Sequence, residues 1–119
     1  MTGNVHWMLE VAVKDGQLDA FRALMEEMVA ATRDNEPDAL NYEWAISGDG
    51  ATCHIYERYR DSAAVMTHIA WFGANAAKRF LAIAEPKRLT VYGSPDEAAT
   101  KALDRMGAVY MKPLGGFAR

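Results

Sequence analysis

The sequence predicts an α+β domain: an antiparallel four-stranded sheet with two helices on one face, followed by a helix–strand extension. Three observations predict it. Apolar residues alternate with period two in four separate segments. Two longer segments between them repeat apolar residues at the helical period. Their order, β-α-β-β-α-β, closes into such a sheet with right-handed crossovers.

The first strand is Val5 to Val13. Val5, Trp7, Leu9, Val11 and Val13 share one face, and His6, Met8, Glu10 and Ala12 share the other. Asp15-Gly16 makes a turn, and Asp15 is placed to cap the next helix. From Gln17 to about Asn35, Leu18, Phe21, Leu24, Met25, Met28, Val29 and Thr32 form a helical stripe. Pro37 ends that helix, because the residue before a proline disfavours the helical region. Leu40, Tyr42, Trp44 and Ile46 alternate along a second strand, Asp49-Gly50 signals a tight turn, and Thr52 to Tyr59 returns as a third strand. Asp61 caps a helix to about Ala70, Gly73 breaks it, and the period resumes to Glu85-Pro86. Lys87 to Gly93 is the fourth strand. Ser94-Pro95-Asp96-Glu97 fits a capping box with Ser94 as N-cap, for a helix running to Met106 and stopped by Gly107. Ala108 to Lys112 forms a short fifth strand, and Pro113 to Arg119 a glycine-containing tail.

This order is the ferredoxin-like arrangement, which sets the first strand beside the third and fourth. A chain of 119 residues favours a single domain, 1–119, with a core over about 4–94 and an extension over 95–119. Net charge is −3 with both signs dispersed, so there is no basic block for nucleic acid. No apolar run approaches the ~18 residues of a membrane span. The N-terminal residues lack the regions of a signal peptide, and the expected location is the cytoplasm. Cys53 is the single cysteine, which excludes an internal disulfide, and it reads as a small buried strand residue. His6 and His54 fall on one sheet face, but their spacing is no metal motif, so no metal is expected. Phosphate-loop, dinucleotide and GxSxG signatures are absent from the sequence.

Face assignment locates the chemistry. The helices cover the sheet face carrying Trp7, Tyr42 and Trp44. On the third strand the matching set is Cys53, Ile55, Glu57 and Tyr59, since the alternative contains His54 and Arg58. Glu57 therefore lies under the helices. His68 shares a helical stripe with Asp61, Ala64, Val65, Trp71 and Phe72, which brings it into the same layer. A polar pair in a layer lined by Trp7, Tyr42, Trp44, Tyr59, Trp71 and Phe72 is where a small ligand would bind. The bland reading holds the aromatics as packing and the pair as an anchor between helix and sheet; a buried charge needs a partner in either case. The opposite face carries His6, Met8, Glu10, Glu43, His54, Tyr56, Arg58, Arg88 and Tyr92, a mixture that a second copy would bury.

The stretches "VHWMLEVAVKDGQLDAFRALM", "ALNYEWAIS" and above all "HIYERYRDSAAVMTHIAWFGANAAKRF" resemble the antibiotic biosynthesis monooxygenase domain family, over roughly Val5 to Ser94. That resemblance implies a homodimeric α+β barrel with no metal or cofactor and a pocket between sheet and helices in each subunit. Some members of that family oxygenate aromatic or quinol compounds with O₂ alone; others degrade signals or haem. Asn4, His68 and Trp71 are of types a haem site uses, but their positions do not match one. The expected protein is a cofactor-independent monooxygenase acting on a small aromatic or quinol-type molecule and O₂. In it His68 accepts or relays the proton and Glu57 orients it. The alternatives are a ligand-binding accessory protein, or an isomerase or lyase of a small oxygenated metabolite.

Overall fold

The computed structural model describes residues 3–119. Its elements are β1 (Val5–Val13), α1 (Leu18–Asn35), β2 (Ala39–Ile46), β3 (Thr52–Tyr59), α2 (Ser62–Asn75), α3 (Ala77–Ile83), β4 (Ala84–Tyr92), α4 (Glu97–Asp104) and β5 (Val109–Met111). They build one sheet in the order β2-β3-β1-β4-β5. The first four strands are antiparallel to their neighbours, and β5 runs parallel to β4. This is the ferredoxin-like α+β fold with β1 at its centre, extended by α4 and β5.

Register places the core. Trp7 lies opposite Glu57 on β3 and Val91 on β4, and Leu9 lies opposite Ile55 and Leu89. Because alternate residues share a face, Val5, Trp7, Val11 and Val13 turn toward the helices with Cys53, Ile55, Glu57 and Tyr59. Two buried clusters result. One joins Val11, Phe21, Leu24, Met28, Ile55 and Phe80, beneath α1 and α3. The other joins Val5, Trp7, Tyr59, Val65, Val91 and Leu103, beneath α2 and α4. Leu9 packs against both.

Several expectations shift locally. Asp15 does not cap α1; Gln17 occupies that position without a side-chain hydrogen bond, and Gly16 takes the positive φ of the turn. On β2 the register slips between Ala39 and Asn41, so Leu40 is exposed while Ala39 packs inward. Ile46, at the strand end, is exposed as well. Gly73 does not break its helix: α2 runs through it to Asn75, and the break falls at Ala76. Polar side chains hold that break. Asn75 Nδ2 donates to the Trp71 carbonyl, and Arg79 donates to the Asn75 carbonyl.

β4 begins earlier than expected and includes Pro86, because a register shift opposite Glu10 and Val11 makes a bulge that tolerates proline. The N-cap of α4 is Asp96 rather than Ser94; its side chain accepts from the Ala99 N–H at 2.9 Å. The Asp96 N–H in turn donates to Ser62 Oγ, fixing the start of α4 to the first turn of α2. The helix closes at Asp104 and a turn ends at Gly107, whose φ is 76°. Among the described residues no helix is long and apolar enough to cross a membrane.

Candidate functional site

Three elements converge between the two core clusters. On β3 the strand period sends Glu57 and Tyr59 to the helix-covered face. On α2 the Asp61 carboxylate accepts from the Ala64 N–H and starts the helix, so that Ala64, Val65 and His68 fall on its buried side. At the end of α1, Glu36 leaves the helical conformation (φ −125°, ψ 79°) just before Pro37 while its N–H still bonds the Thr32 carbonyl.

His68 is the hub. Its Nδ1 lies 3.2 and 3.1 Å from the two carboxylate oxygens of Glu36, and its Nε2 lies 3.4 Å from Glu57 Oε1. Glu57 Oε1 also accepts from the Tyr59 hydroxyl at 2.6 Å, and Trp7 lies directly opposite Glu57 on the neighbouring strand. Glu36, Glu57 and His68 are 9%, 5% and 4% exposed, so each of their charges must be satisfied within the protein. The imidazole is boxed by rings: Tyr42 edge-on at 5.1 Å, Tyr59 at 5.3 Å and Trp71 at 6.0 Å between centroids.

The electrostatics favour a held proton. Burial pushes the Glu57 carboxyl up, more than the His68 charge and the Tyr59 and Trp7 hydrogen bonds pull it down. Burial opposes the His68 imidazolium, but the Glu36 hydrogen bond and the charges of Glu57 and Glu36 outweigh it, and the His68 pKa is raised. Burial and the neighbouring carboxylates push both Tyr42 and Tyr59 far up, so both remain neutral phenols. His68 and Glu57 are both shifted upward, so each holds a proton to higher pH than the free side chain does.

His68 and Glu57 face a narrow cavity of about 30 Å³ that Trp7, Tyr42, Phe72 and Met106 also line. A water needs roughly 10–15 Å³ of such space, so the cavity admits a water or two and no aromatic ring without side-chain movement. Met106, just beyond α4 and 39% exposed, is where the lining reaches the surface. Its unbranched side chain is the easiest of the set to displace.

The structure thus brings His68, Glu57, Trp7, Tyr42 and Phe72 together. Tyr59 stands behind Glu57 rather than on the cavity, and Trp71 flanks the His68 ring. Trp44 is displaced from the site: it packs against Phe21 and Phe80 and lines a separate cleft between α1 and the β2 edge. Its strand position is two residues beyond Tyr42, too far along the sheet to reach the imidazole layer. Glu57 is one of two carboxylates at His68, and the closer contacts come from Glu36, which face assignment overlooked. A signal for Glu36 exists in the sequence. A carboxylate at a helix C-terminus opposes the macrodipole, at a cost of roughly 0.3–1 kcal/mol, so its presence there points to a partner. His6 and His54 are apart on the open face, opposite Arg58 and Glu10 respectively.

The family model for antibiotic biosynthesis monooxygenase matches residues 4–82, covering β1 through α3. The chain belongs to this family. Among solved structures of the fold, MupZ from Pseudomonas fluorescens is similar over 98% of this chain and 94% of its own, with a TM-score of 0.85 at 22% identity. A candidate antibiotic biosynthesis monooxygenase from Caulobacter crescentus aligns over 80% of this chain and 92% of its own (TM-score 0.67, 18% identity). Rv0793 from Mycobacterium tuberculosis aligns over 80% of this chain and 98% of its own (TM-score 0.58, 25% identity). The alignment with MupZ takes in nearly the whole chain, whereas the other two leave about a fifth of it unmatched. No curated protein matches the chain significantly.

Proposed function

We propose that this protein is a homodimeric, cofactor-independent monooxygenase that oxidises a small phenol or quinol with O₂ in the cavity under α2. The observation that carries the reading is a buried imidazole with a carboxylate at each nitrogen, facing an aromatic cavity. The His68–Glu57 pair takes the phenolic proton, and the phenolate becomes the electron source for O₂. One oxygen atom enters the ring and the other leaves as water, the substrate supplying the two electrons and two hydrogens. The protein's contribution is to ionise the substrate, hold it and exclude water. Displacement of Met106 and Phe72 makes the room.

Dimerisation is supported by the face of the sheet away from the helices, where His6 stacks on Tyr92 at 5.1 Å and meets Tyr56 edge-on. It is also supported by exposed apolar side chains in the C-terminal segment, among them Val109, Met111, Leu114 and Phe117.

A second reading, an isomerase or lyase of a small oxygenated metabolite, is favoured by the same two-sided imidazole, which can deliver a proton as readily as take one. Oxygen uptake separates them. The monooxygenase reading expects O₂ consumption with some member of a phenol and quinol panel, lost in His68→Ala. Equal background uptake by both proteins ends that reading, and anaerobic product formation selects the isomerase or lyase. Thermal stabilisation by ligands returned unchanged marks a binding protein.

A further inference from the structure

Glu36 has two environments. Its carboxylate meets His68 Nδ1, and the same residue lines a surface groove of about 240 Å³ between the start of β2 and the outer side of α2. Pro37, Asp38, Asp61, Ala63 and Thr67 also line this groove, and Arg60 pairs with Asp38 at 2.8 Å on its rim. On the inner side, His68 Nε2 faces Glu57, and both line the narrow cavity. The cavity and the groove share no lining residue; the His68–Glu36 contact joins them.

We propose that Glu36 is the outer end of a proton relay, Glu57–His68–Glu36, which connects the cavity to solvent in the groove. When a substrate fills the cavity, a proton taken at His68 Nε2 has no water beside it on that side. The imidazole can instead release its Nδ1 proton to a Glu36 oxygen, and Glu36 passes that proton to groove water. The balance is one proton from substrate to solvent, with His68 left as the Nε2–H tautomer. Resetting reverses the route: Nε2–H protonates the departing product and Glu36 returns a proton to Nδ1. The titratable groups facing His68 are Glu36 from the end of α1, Tyr42 from β2, and Glu57 and Tyr59 from β3. The two tyrosines stay protonated, which leaves the carboxylates as the exchanging partners. Glu36 does not itself line the cavity, so it is a positioning and relay residue rather than a catalytic one.

The relay takes its purpose from the acid–base reading of the site, but its test needs no substrate. In ¹⁵N-labelled protein, the exchange of the His68 Nδ1 proton with water is followed by NMR against pH. Glu36→Gln keeps the shape and a hydrogen-bond acceptor but cannot ionise, and exchange should slow by roughly tenfold or more. Glu57→Gln, on the cavity side of the ring, should change it less than Glu36→Gln does. Thr67→Trp, a change at an exposed position on the groove wall, should slow exchange without touching the cluster; it decides the matter if Glu36→Gln does not fold. Unchanged exchange in Glu36→Gln, or equal slowing in Glu36→Gln and Glu57→Gln, would overturn the proposal. If exchange behaves as expected while no compound is turned over, the catalytic reading fails and the relay stands.

Discussion

His68→Leu is the most informative single change to the cluster. Leucine nearly fills the space of the imidazole but leaves Glu36 and Glu57, whose side chains are 7% and 6% exposed, without the imidazole that bridges them. Removing one partner of a buried charge pair costs about 3–5 kcal/mol, because the remaining charge is neither solvated nor paired. Here two buried carboxylates are left without the imidazole, and burial already pushes the Glu57 carboxyl toward its neutral form. Against a typical total of about 5–15 kcal/mol, the loss should be plain in urea unfolding at pH 7. Two further results bind the effect to charge rather than to shape. Adding Glu36→Gln and Glu57→Gln to the leucine variant should recover most of the loss, since a neutral cluster has no buried charge to desolvate. The deficit of the single variant should also shrink as pH falls, because the raised Glu57 carboxyl takes up a proton. A His68→Leu protein within about 1 kcal/mol of wild type at pH 7 would refute the picture of a buried ion cluster.

Other expected outcomes are narrower. A folded-state pKa of His68 above its unfolded value gives a stabilisation complete below about pH 6.5 and lost as pH rises through the folded value. The raised Glu57 acts in the same direction, its contribution falling from about pH 4.5 upward, so the urea midpoint should fall as pH rises above 6.5, more steeply in wild type than in His68→Leu with Glu57→Gln. Met106→Trp should narrow access to the cavity and weaken binding of any phenol that stabilises wild type in thermal shift, with little effect on the unfolding of the free protein. Gly93 has φ +94°, and a β-carbon there would lie 2.5 Å from the Asn4 carbonyl oxygen; Gly93→Ala should cost about 1–3 kcal/mol or more by denaturant titration. Asp96→Ala should cost about 1 kcal/mol through the lost cap of α4, and Ser94→Ala a few tenths.

The sheet was readable in the sequence because β1 and β3 alternate without interruption, so one face assignment fixed Trp7, Glu57 and Tyr59 together. His68 was readable through the Asp61 cap, which sets the helical phase from its first turn. What escaped depended on local exceptions to periodicity. The bulge that exposes Leu40 inserts one residue into an otherwise regular strand. The break at Ala76 is made by Asn75 and Arg79 side chains, while Gly73, the residue with the breaking propensity, stays helical. Asp96 and Ser94 offer similar caps two residues apart, and the bond from Asp96 to Ser62 on α2 is a tertiary choice between them. Glu36 escaped because it belongs to no stripe: it lies past the end of α1 and reaches His68 only once α1 and α2 are packed on the same sheet. Trp44 shared the face of Tyr42, but distance along the strand excluded it from the site, and face periodicity carries no information on that distance.

The central claim is that the His68–Glu57 pair ionises a phenolic substrate for direct reaction with O₂. Incubation of the chelator-treated protein with ¹⁸O₂ and the active member of the phenol and quinol panel, read by mass spectrometry, tests it most directly. The account predicts one ¹⁸O atom per product molecule from wild type and none above background from His68→Ala or Glu57→Gln. Product carrying no ¹⁸O from gas, or the same labelled yield from wild type and His68→Ala, would contradict it.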